Sequence, residues 1–198
     1  PNALPAVQGV LEKLLHADAA WLEAQAETLE DVAAAPFIAA ALQVEKVHTV
    51  LAADFHPEAR GDTTVCPCCG SLPVASVVHN SNNQTPGLRY LVCSLCHTQW
   101  NLPRILCTHC GTEDKVSYQS LDVADGNMPT AVDNPPVRAA ILAETCDHCG
   151  HYLKIMHRER DPQLDPVADD IASLTLDLLV AETGMQKHGI NLMLLFGE

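Results

Sequence analysis

The segment from Cys66 to Cys149 contains four Cys-x-x-Cys pairs, which read CPCC at 66–69, CSLC at 93–96, CTHC at 107–110 and CDHC at 146–149. Two residues between the cysteines let one tight turn direct both sulfurs to a common point, which is half of a tetrahedral metal site. Three of the pairs are followed at once by a glycine: Gly70, Gly111 and Gly150. Such a turn favours a positive φ just after the second cysteine, which glycine adopts at little steric cost. Four pairs in one chain are therefore a strong indication of metal binding.

The four pairs form an internal repeat of two units. In the first unit, CPCCG is followed by the apolar stretch LPVASVVH, the loop NSNNQTPG at 80–87, the stretch LRYLV and then CSLC. In the second unit, CTHCG is followed by KVSYQSL, a longer loop at 122–136, the stretch RAAILAE and then CDHCG. Two such turns at the ends of antiparallel strands, holding one ion between them, are typical of a zinc ribbon or a rubredoxin-like module.

The repeat predicts two sites of four cysteines each. The first site comprises Cys66, Cys69, Cys93 and Cys96, and the second comprises Cys107, Cys110, Cys146 and Cys149. A cross-braced arrangement, in which the first pair shares an ion with the third and the second with the fourth, stays open but would break the strand pairing that the repeat implies. Four sulfurs in tetrahedral geometry suit both iron and zinc, so the spacing alone does not separate the two metals.

Nine cysteines in 198 residues could form disulfides or bind metal. We find no signal peptide and no apolar run near 18 residues, so we expect a reducing, cytoplasmic location in which thiols bind metal or do redox chemistry. Hydrophobic residues make up 47% of the chain and aromatic residues only 4%. That composition allows a core but leaves a small module short of buried surface, so metal ligation is the preferred interpretation of the cysteines.

The chain is acidic, with 11 Lys and Arg against 25 Asp and Glu and a formal net charge of −14. Four thiolates around a divalent ion leave a net charge of −2, so two filled sites would add about −4 more. Phosphate binding needs a basic face, which the few scattered basic residues do not supply. The charge therefore disfavours nucleic acid and favours a protein or small-molecule partner.

The remaining sequence predicts helices on either side of the metal modules, and hence an α+β fold. The expected order is a helical segment at 1–61, the first four-cysteine, rubredoxin-like module at 62–104, the second such module at 105–160 and a C-terminal helical segment at 161–198. We expect the C-terminal helix to pack on the N-terminal helices, so that the two modules protrude.

In the N-terminal segment, apolar residues at helical spacing predict one amphipathic helix over 4–33 and a second from Pro36 to about Phe55. His56-Pro57 and Gly61 are expected to end the second helix. The apolar stripe predicted to form its core face is Phe37, Ala41, Val44, Val47 and Leu51.

In the C-terminal segment, residues 157–162 are interpreted as a linker. Asp165 before Pro166 predicts a helix N-cap with proline at the first helical position, and Gly184 is the expected C-cap. The apolar stripe of this helix is Val167, Ile171, Leu174 and Leu178. Asp169 and Asp170 are interpreted as a solvated pair favoured by the helix dipole. The apolar tail at 190–196 is expected to pack on the other helices.

Five residues near the cysteine pairs need separate interpretation. Cys68 is left over once eight cysteines are assigned, and we interpret it as a spare thiol. His109 and His148 lie inside Cys-x-x-Cys turns, where we expect their side chains to point away from the ion. His97 would be a ligand only in a site of three cysteines and one histidine. Trp100 is expected to pack over a metal site rather than to serve as a binding platform.

Four blocks of this sequence together resemble the FdhE family of formate dehydrogenase accessory proteins: CPCCGSLPVASVV, LRYLVCSLCHTQWNLPRILCTHCG, ETCDHCGHYLKI and DPVADDIASLTLDLLVAE. The resemblance extends from about Val65 to Gly184, and members of the family usually have more residues before that segment. It implies a cytoplasmic, non-catalytic assembly factor. The implied partner is the formate dehydrogenase catalytic subunit, which carries molybdopterin and an iron–sulfur cluster and which the factor helps to mature before export.

The resemblance also implies that the eight paired cysteines form rubredoxin-like iron sites, and CPCCG fits the rubredoxin Cys-Pro-x-Cys-Gly turn. Iron is the favoured metal and zinc the alternative. Nucleic-acid binding and membrane insertion are not implied, and a homodimer is left open.

The main alternative function is redox, in which iron in these sites transfers one electron or metal-free pairs exchange disulfides. A zinc ribbon that binds nucleic acid is less favoured because of the charge. The sequence offers neither a nucleophile–base constellation nor a phosphate loop that would indicate an enzyme.

Overall fold

The computed structural model describes residues 35–53, 63–81, 85–121 and 139–194. Its helices are α1 (Ala35–Ala52), α2 (Ala168–Ala172), α3 (Leu174–Glu182) and a 3-10 helix at Leu192–Leu194. Its strands are β1 (Pro73–Ser81), β2 (Thr85–Cys93), β3 (Gln99–Asn101), β4 (Val116–Gln119), β5 (Ile141–Cys146), β6 (His151–His157) and β7 (Gln186–Lys187). This mixture of helix and sheet confirms the α+β class. None of the described helices is both long enough and apolar enough to cross a membrane.

The sheet repeats a three-stranded unit. In each unit two strands form an antiparallel pair and a third strand returns antiparallel to the second, giving β1–β2–β3 and β4–β5–β6. The strand order is β3-β2-β1-β6-β5-β4, so the two units lie side by side in one sheet. They are joined by parallel pairing of β1 with β6, in which Val77 lies opposite Met156. The third strand of each unit and this shared sheet were not predicted.

The connection between β1 and β2 is shorter than the predicted loop at 80–87. Strand pairing continues as far as Ser81 opposite Thr85, because a hairpin satisfies backbone groups that a loop would leave to water. The predicted helix over 4–33, the predicted helix end at 56–61 and the loop at 122–136 lie outside the described residues.

Helix α1 forms where predicted but packs with a different face. Its buried side chains are Ile38, Ala39, Leu42 and Gln43, and the exposed members of the predicted stripe are Phe37, Val44 and Leu51. The amide Nε2 of Gln43 donates a hydrogen bond of 2.9 Å to the carbonyl of Ser94. A buried polar group with a partner is well tolerated, and this bond helps to set the rotation of the helix. Val50 then packs against the core around the first group of cysteines.

The predicted C-terminal helix is interrupted at Ser173. Asp165 Oδ1 accepts hydrogen bonds of 2.9 Å from the backbone N–H groups of Val167 and Ala168, as predicted for a capping side chain, but α2 begins later than predicted, at Ala168. The expected helix end is confirmed by the positive φ of Gly184, +86°. Between them, Ser173 Oγ donates to the carbonyl of Asp169 at 2.6 Å, a bond that is known to bend helices.

The interruption changes which side chains of the C-terminal helix are buried. Leu174 and Leu178 of the predicted stripe are exposed, and Leu176 and Val180 are buried instead. The two buried side chains pack in one cluster with Ala143 of β5 and Tyr152 of β6. The helical stripe was therefore wrong beyond Ser173, because a continuous 3.6-residue period does not hold across a break.

Asp170 is fully buried, so its interpretation as a solvated carboxylate was wrong. Its Oδ1 lies 3.2 Å from Lys154 Nζ and 2.7 Å from Lys187 Nζ, and its Oδ2 accepts a bond of 3.0 Å from Asn191. Lys154 Nζ also lies 2.5 Å from Asp177 Oδ2. Two lysines and two aspartates thus compensate one another, as buried charges must, and they attach α2 and α3 to β6 and β7.

A second buried ion pair joins the two units of the sheet. Arg89 of β2 contacts the carboxylate of Glu144 of β5, and both side chains are almost fully buried. Arg89 also donates to the carbonyls of Leu102, Pro103 and Leu106. Burial raises the pKa of Glu144 and the guanidinium of Arg89 opposes that rise. Arg89 therefore fixes the connecting segment between the modules as well as the carboxylate.

The segments at the two ends of the described chain meet the sheet from separate positions. The 3-10 helix lies against α1, whereas α3 lies against β5 and β7. Packing of the C-terminal helix on the whole N-terminal helical segment stays a prediction, because the helix expected over 4–33 is outside the described residues. The end of the apolar tail, 195–198, is outside them as well.

After α3 the chain runs along β6 to the start of β1, in close contact with these two central strands. The backbone N–H of His188 donates to Tyr152 at 2.8 Å, and that of Ile190 donates to Pro73 at 3.0 Å. Between them, a Cβ added at Gly189 would lie 2.5 Å from Leu153 Cδ1 and 2.9 Å from the carbonyl oxygen of Val74. Only a residue without a side chain fits there.

We expect Gly189→Ala to destabilise the protein by about 1–3 kcal/mol, because the backbone and a core leucine must both shift. The corresponding fall in Tm is about 2–4 °C per kcal/mol for a chain of this size, measured by thermal unfolding. Gly111→Ala is a comparison for backbone strain without a clash: its Cβ would meet no described atom within 4 Å, so its cost of about 1–2 kcal/mol comes from the left-handed backbone alone. Equal Tm values for Gly189→Ala and the wild type would contradict the close approach.

His157 belongs to strand β6, so interpreting the linker as beginning there was wrong. Its side chain is 2% exposed, it lies opposite Val78 of β1, and its N–H donates to Ala140 at 2.7 Å. Its Nδ1 lies 2.9 Å from Glu159. Burial lowers the pKa of His157, and the interaction with Glu159 opposes the change without reversing it. The folded protein therefore holds this imidazole neutral.

This pKa predicts a loss of stability in mild acid. The unfolded chain takes up a proton on His157 near pH 6.5, whereas the folded chain takes it up only at lower pH. The contribution of the neutral imidazole to the free energy of unfolding is therefore complete above pH 6.5 and is lost as the pH falls through the lower pKa of the folded protein. Urea unfolding at about pH 7.5 and about pH 5.5 should show a larger loss for the wild type than for His157→Gln, which cannot titrate. An identical pH dependence of the two proteins would contradict a neutral buried imidazole.

Candidate metal centres

The structure groups the paired cysteines four and four, as the repeat predicts. The first cluster is Cys66, Cys69, Cys93 and Cys96, the second cluster is Cys107, Cys110, Cys146 and Cys149, and within each the sulfurs lie within 4.8 Å of one another. The cross-braced arrangement is therefore wrong. All nine cysteines lie in the described ranges and all are free thiols, which excludes the disulfide interpretation for this structure.

The sulfur–sulfur distances test whether a tetrahedral ion fits. Ligands about 2.3 Å from such an ion stand about 3.8 Å from one another. In the second cluster Cys107 and Cys149 are 3.7 Å apart and Cys110 and Cys146 are 3.9 Å apart. In the first cluster the corresponding distances, Cys66 to Cys96 and Cys69 to Cys93, are slightly shorter at 3.5 and 3.4 Å. Both donor sets fit one tetrahedrally coordinated ion.

The turns position the sulfurs through backbone hydrogen bonds. In the first turn Gly70 N–H donates to the Cys66 carbonyl at 2.9 Å, and the N–H of Cys68 lies 3.4 Å from Cys66 Sγ. Gly70 has a φ of +76°, as the sequence predicts. The second turn has no glycine, and His97 takes the left-handed conformation instead, with a φ of +56°. The signal for this role of His97 was its position directly after the second cysteine.

The first cluster is enclosed by core side chains. Cys66, Cys93 and Cys96 are buried in one cluster with Trp100, Leu91, Leu102 and Leu153. The indole N–H of Trp100 donates to the carbonyl of Thr63 at 2.7 Å. Trp100 therefore packs on the cysteines of the first cluster, as predicted. Cys68 is half-buried and outside the group of four, as expected for a spare thiol.

The second cluster is open on one side. Cys107 and Cys146 are buried, whereas Cys149 is half-buried and Cys110 is exposed. Burial raises the pKa of Cys149 to about 12. Burial acts in the same direction on Cys110, but hydrogen bonds from the Thr112 backbone and from His148 outweigh it and lower the pKa of Cys110 to about 6. A thiolate on this side is therefore available as a ligand at neutral pH.

Histidine side chains lie beside the sulfurs of Cys110 and Cys149, a placement that the sequence analysis did not predict. His148 Nδ1 is 3.6 Å from Cys110 Sγ, so the expectation that its side chain points away was wrong. His109 and His151 have ring nitrogens within 4.8 Å of Cys149 Sγ, which corrects the same expectation for His109. The available sequence signal was that His109 and His148 each occupy the third position of a Cys-x-x-Cys turn in the second unit. His97 is exposed and belongs to neither cluster.

Comparisons with known proteins cover most of this region. The family model described as the FdhE central domain matches residues 65–104, and the one described as the FdhE C-terminal domain matches residues 105–194. The chain is 39% identical over 198 residues to a protein FdhE homolog of Cronobacter sakazakii, covering 96% of this chain and 59% of that relative. It is 40% identical over 166 residues to protein FdhE of Escherichia coli O9:H4, covering 83% of this chain and 49% of that one.

A solved structure is also similar over the full chain. The crystal structure of the FdhE protein from Pseudomonas aeruginosa superimposes with a TM-score of 0.77 at 36% sequence identity, covering 100% of this chain and 67% of that one. The chain spans 49–59% of the length of the two curated relatives above.

Proposed function

The chain belongs to the FdhE family, and from that premise we propose that it is an accessory factor of formate dehydrogenase. In this proposal it binds the catalytic subunit of that enzyme in the cytoplasm and is needed for the subunit to mature into active enzyme. The observation that carries the proposal is the unbroken match of residues 65–194 to the family's central and C-terminal domains. Both cysteine clusters lie inside that stretch. Its proposed role is binding, not catalysis.

We propose further that each cluster holds one metal ion, with iron favoured and zinc the alternative. The ligands would be Cys66, Cys69, Cys93 and Cys96 in one site and Cys107, Cys110, Cys146 and Cys149 in the other. When bound, an ion supplies a cross-link between two turns, and the free energy of metal binding becomes free energy of folding. The cysteines themselves hold the ends of the strand pairs in register and keep the sheet in one shape for the partner.

The charge of the chain supports a polypeptide partner. A formal net charge of −14 opposes binding to phosphate backbones, which requires a basic face. The negative charge repels nucleic acids and allows a protein surface of complementary, positive charge to bind.

Co-purification tests the proposed partner. We expect an affinity-tagged copy of this chain, produced in cells whose own gene for the family member is deleted, to retain the formate dehydrogenase catalytic subunit. We also expect it to restore formate dehydrogenase activity in those cells, with a full-length relative as the positive control because the chain spans only part of such relatives. Unchanged formate dehydrogenase activity after the deletion would contradict the proposal.

Elemental analysis of the protein purified without oxygen tests the metal. We expect one ion per cluster, and an iron protein should also show visible absorbance from sulfur-to-iron charge transfer. A reversible change of that absorbance on reduction, without retention of the catalytic subunit, would support the redox alternative. A colourless zinc protein that retains the subunit would exclude that alternative and leave the accessory role intact.

A further inference from the structure

The two clusters differ in how far solvent reaches their sulfurs. Three of the four cysteines of the first cluster are buried, and Cys96 is only 5% exposed. Helix α1 lies over this side, with Gln43 bonded to the turn at Ser94 and Val50 packed on the cluster. In the second cluster Cys149, which corresponds to Cys96 in the repeat, is half-buried, and Cys110 is exposed. A ligand or chelator can therefore reach the second cluster without unfolding the module.

The open side of the second cluster carries nitrogen donors in a cross-turn arrangement. His148 belongs to the 146–149 turn but lies beside Cys110 of the opposite turn. His109 belongs to the 107–110 turn but lies beside Cys149 of the opposite turn. In the first cluster the corresponding positions are Cys68 and Leu95, and neither supplies an imidazole. Among the described residues, histidine nitrogens are grouped with a sulfur of the second cluster and not with the sulfurs of the first.

The distances suit ligand replacement. A sulfur and a nitrogen bound to one tetrahedral ion stand about 3.5 Å apart, and His148 Nδ1 is 3.6 Å from Cys110 Sγ. His151 Nδ1 lies 2.9 Å from the carbonyl of Cys149, so its N–H donates there and Nε2 keeps a free lone pair, the usual state of a metal-binding histidine. The ring of His109 stacks on that of His151 at 3.8 Å and 8°, so only one of the two can direct its lone pair at a shared ion at a time.

A buried nitrogen on the same side is left without a hydrogen bond. His188 lies edge-on to His109 with ring centroids 4.8 Å apart, and its Nε2 is buried with no hydrogen-bond partner among the residues that the structure describes. Buried polar atoms nearly always have a partner. Three imidazoles, those of His109, His148 and His151, therefore lie beside the sulfurs of Cys110 and Cys149, and His188 contacts one of them. This side of the cluster holds more donors than one ion needs.

We propose that the second cluster is an exchangeable metal site and the first a permanent one, with the histidines as transient ligands through which a divalent ion such as Zn²⁺ enters and leaves. This rests on the metal binding proposed above. In the exchange step the neutral imidazole of His148 replaces the thiolate of Cys110, which leaves the ion as a free thiolate on the exposed side of the cluster. His109 or His151 replaces Cys149 in the same way. No oxidant or reductant is involved, and the charge of the coordinated ion becomes less negative by one for each replacement.

Release of Zn²⁺ from the fully loaded 198-residue chain to an excess of a coloured chelator tests this. We expect two phases of equal amplitude. Alkylation with iodoacetamide during the fast phase, read by mass spectrometry, should label Cys110 and Cys149 and spare Cys66, Cys93 and Cys96. The triple variant His109→Leu, His148→Leu, His151→Leu, which removes every proposed transient ligand, should slow the fast phase by about tenfold or more and leave the slow phase unchanged. The matched control is His97→Asn, beside the first cluster, which should change neither phase.

Several results would overturn the proposal. They are a single release phase, early labelling of the first cluster, fewer than two Zn²⁺ per wild-type chain, or a fast phase in the triple variant that is unchanged or accelerated. Acceleration would mean that the histidines stabilise the thiolates by hydrogen bonds instead of replacing them. Circular dichroism and a zinc content of two per chain confirm that the variants are folded and loaded. Release rates do not depend on the formate dehydrogenase subunit, so a failure here is distinct from a failure of the accessory role.

Discussion

Replacement of Cys93 by serine is expected to halve the bound metal, from two ions per chain to one, and to unfold the first module. Cys93 is fully buried at the end of β2, and its sulfur lies 3.4 Å from Cys69 Sγ. Binding of a structural ion contributes on the order of 10–16 kcal/mol, which is as large as the whole stability of a typical domain. With the fourth ligand lost, little else in this aromatic-poor module replaces that free energy.

The measurement is metal content by elemental analysis together with hydrogen exchange of the amides in β1 and β2. Cys68→Ser is the matched control, because it changes the same atom in the adjacent turn but lies outside the group of four sulfurs. We expect the control to keep two ions and native exchange protection. If the Cys93→Ser protein also kept two ions, the first cluster would not be a metal site.

Replacement of Lys154 by methionine is expected to reduce the free energy of unfolding by about 3–5 kcal/mol, the usual cost of removing one partner of a buried ion pair. Lys154 is fully buried in β6 and its Nζ donates to the Asp170 carbonyl at 2.7 Å while lying 2.5 Å from Asp177 Oδ2. Without it, the partners of Asp177 in the described part of the chain are the hydroxyl of Tyr152 and the more distant Lys187. A carboxylate that is left buried with too little compensation is costly.

Urea unfolding of the metal-loaded protein measures this loss. Lys187→Met is the control, because that side chain is 21% exposed and its removal leaves both carboxylates paired with Lys154. We expect a clearly smaller loss for the control. The triple variant Lys154→Met, Asp170→Asn, Asp177→Asn should recover part of the stability, since it removes the uncompensated charges. Equal losses for the two lysine variants would contradict the central position of Lys154.

The part of the site that follows from the sequence is the part set by local chemistry. Two residues between cysteines dictate one turn, and the apolar stretches between the turns dictate the strand pair that brings two turns together. This is why the grouping of Cys66 and Cys69 with Cys93 and Cys96, and the corresponding group in the second unit, was predictable from spacing. The same local chemistry predicted the cap at Asp165 and the positive φ at Gly184.

The contacts that could not be predicted join residues far apart in the chain. Pairing of β1 with β6 brings Ser76 beside Ile155, and no local pattern in either strand specifies the other. The side of a helix that is buried depends on what lies opposite it, so Gln43 of α1 is buried because a carbonyl acceptor is available at Ser94. Asp170 is buried for the corresponding reason, since two lysines from other elements meet it.

The sequence by itself therefore determined which sulfurs are grouped together, and it indicated the first two strands of each unit and the helices on either side, because turns and periodicity act over a few residues. Only the tertiary structure decided that the two modules share one sheet, that one cluster is covered by α1 and the other is open, and that histidines of one turn lie beside cysteines of the other. Burial and cross-turn contact depend on the arrangement of whole elements in space, and spacing along the chain carries no information about that arrangement.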